Sequence, residues 1–176
     1  NMIEKMVSKY YEKGQNYIIA NRAFLKVNHI LKQICTETFK IPTELSDKIQ
    51  SDNKSNLQTL SYDLSNEYDF VPFCTFFEGN DGVLYHPKFF QSTIYNWKLI
   101  SQIALTHDDF WFKMCALING YGVICLNQAD YRNSRQIDGT SKTALHSNIN
   151  KGSYDFYFNK IIRWFSKNGH LQRGLD

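Results

Sequence analysis

Three groups of residues have the types and spacing to do chemistry. The first is His107-Asp108-Asp109, at the head of the segment Thr106 to Asn127. An imidazole beside two carboxylates invites a metal or proton-transfer reading. Consecutive residues of a helix point in different directions, so three in a row rarely meet one ion. No HExxH or paired-cysteine pattern supplies further ligands. Helix capping accounts for the triplet more simply: Thr106 as N-cap, Asp109 three residues on, and Asp108 near the positive end of the helix dipole. No metal site and no cofactor is expected.

The second group is Arg132, Arg135, Ser141, Lys142, Thr143 and His146. Guanidinium, ammonium and hydroxyl donors hold phosphate, and a histidine transfers protons, which suits an RNase-like or phosphodiesterase-like site. The fragment Gly139-Thr140-Ser141-Lys142 ends like a phosphate-binding loop but lacks the upstream glycine at the GxxxxGK spacing. His146 has no acidic orienter at a fixed spacing. Joined to Lys160, Arg163, Lys167 and Arg173, the same stretch fits phosphate contacts and base stacking on nucleic acid. An ordinary solvated loop is the competing reading.

The third group is the stretch Tyr62 to Asp81, where five carboxylates are interspersed with six aromatics and no basic residue intervenes. Carboxylates around an aromatic patch favour fast, specific association with a basic protein. The candidate partner-binding residues are Asp63, Glu67, Tyr68, Asp69, Phe70, Phe76, Glu78 and Asp81. If residues 70–77 form an edge strand, the stretch also accepts a partner strand. The competing reading places the aromatics in the core and the carboxylates on its rim.

Charge separates these groups. Residues 1–40 carry seven basic and three acidic side chains, residues 41–131 five and eleven, and residues 132–176 eight and three. An acidic middle between basic ends bears on partners and association rates rather than on fold. The first functional expectation is therefore a small non-catalytic binding protein of the antitoxin or immunity kind, masking a basic, nuclease-like partner. The alternative is a nucleic-acid-binding or RNase-like protein using Arg132, Arg135, Lys142 and His146. An enzyme is the less favoured class.

The elements that must position these residues follow from periodicity. A chain of 176 residues suits one domain spanning 1–176. Asn1 ahead of Met2 reads as an addition, with Met2 the expected start. A short helix is expected over 3–13, broken by Gly14, and a longer one over 15–39, with Ala20, Phe24, Val27, Leu31 and Ile34 at helical spacing. Pro42 and the polar 51–56 mark turns. Residues 70–77 and 83–85 are expected to pair through Gly79-Asn80-Asp81-Gly82. A helix over 88–105 would bury Phe90, Ile94, Trp97, Ile100 and Ala104. Another follows Thr106, with Phe110, Met114, Leu117 and Ile118 inward, ending at Gly120 and Gly122 before an apolar run over 123–126. Residues 127–153 read as a long polar loop, and a last helix over 154–167 buries Phe158, Ile161, Ile162 and Phe165. The expected fold is mainly α-helical, five or six helices around one core with a small β-hairpin near residues 70–86, with α+β as the alternative.

Cys35, Cys74, Cys115 and Cys125 have apolar neighbours and form no CxxC. They are expected as buried free thiols in a reducing cytoplasm, with a single disulfide left open as the alternative. No apolar run reaches the roughly 20 residues that span a bilayer, so no membrane is expected as a partner.

Overall fold

A computed structural model describes residues 1–25, 30, 74–77, 79, 82–126 and 151–168. Its first element, α1 (Met2–Glu12), starts on a reciprocal cap. The Asn1 side chain accepts from the backbone N–H groups of Ile3 and Glu4, while Glu4 reaches back to the Asn1 amine. Met6 and Tyr10 face the core. The helix stops where Gly14 takes φ +67° and Gln15 takes φ +61°.

The expected helix over 15–39 is overturned in its first half. Tyr17–Ala20 is strand β1 and Ala23–Leu25 is strand β2, and Ile30 alone of the remainder is described, as helical. The apolar run Ile18-Ile19-Ala20 is fully buried in the centre of a sheet. A short buried run of this kind has no periodicity to tell strand from helix, and its two isoleucines suit a pleated strand.

Strand β1 is the middle of a three-stranded sheet. It pairs antiparallel with β4 (Val83–Leu84) and parallel with β5 (Gly122–Cys125), Ile18 opposite Val123 and Ile19 opposite both Leu84 and Ile124. Strand β2 pairs antiparallel with β3 (Thr75–Phe77), Phe24 opposite Phe76. The expected hairpin near 70–86 is therefore corrected. Both strands exist, and Gly82 N–H donates to Gly79 O at 3.2 Å in the turn between them, but β3 and β4 belong to different sheets.

The helix expected over 88–105 is broken into 3-10 turns at Pro87–Phe89 and Ser92–Tyr95 and a short helix α2 (Trp97–Ile103). The cause is tertiary. The carbonyl of Phe89 accepts from Asn119 Nδ2 at 2.9 Å and that of Ile94 from Trp111 Nε1 at 3.2 Å. Asn96 then caps a new helix by accepting from Leu99 N–H at 3.1 Å. This shifts the buried face to Leu99 and Ile103 and leaves Trp97 66% exposed instead of inward.

Helix α3 (Asp108–Leu117) buries Phe110, Trp111, Lys113, Met114, Cys115, Ala116 and Leu117, so it is covered on nearly every side. It ends at Gly120, φ +79°, and the chain returns as β5. Helix α4 (Lys151–Lys167) packs on it, with Phe158, Ile161, Ile162 and Phe165 fully buried as the spacing predicts, and it starts three residues earlier than expected. Among the described residues there are four α-helices, fewer than the five or six expected, and with the sheets they make an α+β arrangement. None of the described helices is long and apolar enough to cross a membrane.

The cysteines divide. Cys115 and Cys125 are free, but Cys74, buried beside β3, is disulfide-bonded. Two of the thiols are thus free as expected, and Cys74 follows the alternative of a single disulfide that the sequence leaves open.

Candidate functional site

The site starts at the N-terminus of α3, and its cap differs from the expected one. His107 occupies the cap position, makes no side-chain cap bond, and is buried. Its ring stacks on Phe110 (centroids 5.7 Å apart) and on Tyr157 of α4 (4.8 Å). Thr106 Oγ1 is hydrogen-bonded to His107 Nδ1 at 2.8 Å. The threonine thus serves the imidazole rather than the backbone amides.

Asp109 is turned the other way. Its Oδ2 accepts from Gly79 N–H at 3.0 Å, across thirty residues of sequence. The end of the acidic stretch is thereby held against the head of α3, where Asp108 is exposed and Asp109 half-buried. Burial pushes the Asp109 carboxyl up, the Gly79 hydrogen bond draws it down, and the charge of Asp108 pushes it up again. Among the described residues no lysine, arginine or histidine forms an ion pair with either carboxylate.

Beside Asp109 lies a group of rings. Tyr85 packs 5.5 Å from Phe77, 5.7 Å from Phe90 and 5.8 Å from Phe112, and Phe90 lies 6.0 Å from Phe112. Phe77 is core, while Tyr85, Phe90 and Phe112 are half-buried. Burial raises the Tyr85 phenol well above its usual range, and the charges of Asp109 and Asp108 add to this, so it stays protonated. Farther along the same acidic segment Tyr95 is 84% and Trp97 66% exposed.

Gly79 sits close against this carboxylate. A Cβ there would stand 2.5 Å from Asp109 Oδ1. Gly79→Ala is expected to displace the carboxylate, weaken its hydrogen bond and cost about 0.5–1.5 kcal/mol. In an Asp109→Ala background the same change should cost much less, which a double-mutant cycle in urea measures.

Of the residues singled out from sequence, Asp63, Glu67, Tyr68, Asp69, Phe70, Glu78 and Asp81 lie outside the described residues, as do Arg132, Arg135, Lys142 and His146. Phe76 is described and is corrected: it is 0% exposed, packed edge-on against Phe110 (5.5 Å) and Phe158 (5.4 Å), so no partner reaches its ring. In the basic C-terminal helix Arg163 is exposed, whereas Lys160 folds across to donate to Gln102 O at 2.8 Å and lies over the Phe156 ring. Sequence reasoning missed Tyr85, Phe90 and Phe112 as a group, having put Tyr85 in a hairpin and Phe90 on the buried stripe of a helix and given Phe112 no role. No local signal joins them, because Gly79 meets the head of α3 through a contact thirty residues apart in sequence.

The chain matches no family model, no curated protein and no solved structure.

Proposed function

We propose that this chain is a non-catalytic binding protein of the antitoxin or immunity kind, which masks a basic, nuclease-like protein through the acidic, aromatic surface of its middle segment. The observation that carries the reading is the pair Asp108 and Asp109, with no cation against them among the described residues, in a segment that also exposes Tyr95 and Trp97. Exposed Trp and Tyr are the residues on which interface energy concentrates, and unpaired carboxylates supply attraction and orientation toward a basic surface. The carboxylates of Asp63, Glu67, Asp69 and Glu78 belong to the same acidic segment and enlarge its charge.

The test is capture of the partner from the native host, identified by mass spectrometry, with wild type and with Asp63, Glu67, Asp69 and Glu78 all changed to Lys. The reading expects a basic partner that the reversed variant no longer retains. Undiminished capture of the same partner would sink it. If low-salt mobility shifts instead show nucleic acid bound, and Arg132, Arg135 and Lys142 changed to Ala abolish that binding, the alternative function takes its place.

A further inference from the structure

We infer that the half-buried ring face of Tyr85, Phe90 and Phe112, with Asp109 at its edge, seats an arginine side chain of a protein partner. This rests on the reading above and makes it specific. It names the partner's contacting group and the residues that receive it.

Charge comes first. Asp109 is withdrawn from water without a described cation, and Asp108 beside it is a second negative charge. A carboxylate in that position is stabilised when a cation takes the place of lost hydration. One of its oxygens, Oδ2, already accepts from Gly79 N–H. A carboxylate has acceptor sites on both oxygens, so capacity for a further donor remains.

The rings decide which cation fits. Tyr85, Phe90 and Phe112 lie 5.7 to 6.0 Å from one another with planes tilted 54 to 56°. Aromatic faces of this kind attract cations through the ring quadrupole. A guanidinium is planar, weakly hydrated and able to stack on a ring while its N–H fork reaches a carboxylate at the ring's edge. A lysine ammonium is a compact, strongly hydrated point charge and loses more water on approaching an apolar wall.

The probe is a short peptide carrying two arginines between glycines, compared with its lysine and its citrulline counterparts. Ring-proton shifts of Tyr85, Phe90 and Phe112 are followed by NMR. The arginine peptide should move these signals, the lysine peptide should bind more weakly, and citrulline should leave them unmoved. Asp109→Asn keeps the oxygen for Gly79 and removes the charge, and should weaken arginine-peptide binding about tenfold or more. Phe112→Leu, which keeps apolar volume but removes the ring face, should weaken it as well and serves if the Asn variant fails to fold. Two results overturn the inference: shifts confined to other residues, or equal binding by wild type and both variants. Either would leave the broader reading standing if the host partner is still captured through the acidic segment. No shift with any cationic peptide, together with failed capture, would remove both.

Discussion

Phe76→Ala will lower folding stability by about 3–5 kcal/mol, the range for emptying an aromatic site in a packed core. The ring has no exposed surface and touches rings from two helices, Phe110 of α3 and Phe158 of α4. Its strand also pairs with β2. Removal therefore leaves a cavity at the place where β3, α3 and α4 meet, with little room for collapse around it. Urea denaturation of the variant should show a much lower midpoint with an unchanged slope. An interface residue would behave in the opposite way, weakening partner binding while leaving the midpoint near that of wild type.

Lys113→Met should remove a rise of folding stability with pH that wild type shows above pH 7. Lys113 is fully buried in α3, its ammonium 5.8 Å from the centre of the Phe76 ring. Burial lowers its pKa from 10.5 to about 7. Between those values the unfolded chain holds a proton that the folded protein has released, so wild-type stability rises with pH in that window. Below pH 7 both forms are protonated and the full penalty stands. Cys115, whose thiol burial pushes up from 9.0 to about 12, works in the opposite direction at higher pH. The interval that separates the two is therefore pH 7 to 9, where deprotonation of Lys113 should make wild type more stable as pH rises. The Met variant should lack that rise. Parallel slopes for the two proteins across this interval would show that the ammonium is not desolvated as described.

These two positions also show what could be read from the chain alone. Helices α1 and α4 were legible because their apolar residues recur at helical spacing and their neighbours are polar. Residues Phe158, Ile161, Ile162 and Phe165 all lie inward as that spacing requires. Helix α3 was placed, but its cap was not: Thr106 and Asp109 have the right spacing for a local bond, and each is taken by another partner. Strands β1 and β2 were hidden because the fit of Ala20 and Phe24 to a helical stripe was fortuitous. Their pairing is with residues some fifty to a hundred positions away, such as Phe76, Leu84 and Ile124. For the site, the acidic and aromatic composition of the middle segment was visible. Which aromatics would be core and which would stay near the surface depended on the same distant contacts, so Phe76 was misplaced and Tyr85, Phe90 and Phe112 were not joined.

The central claim is that the middle segment recognises a basic partner by charge. Its most direct test is the rate of association with the captured partner as salt is raised from 50 to 500 mM (roughly a threefold shortening of the Debye length). The association rate constant should fall steeply over this range while the dissociation rate constant changes little. An association rate that stays constant, or rises, with added salt would contradict it.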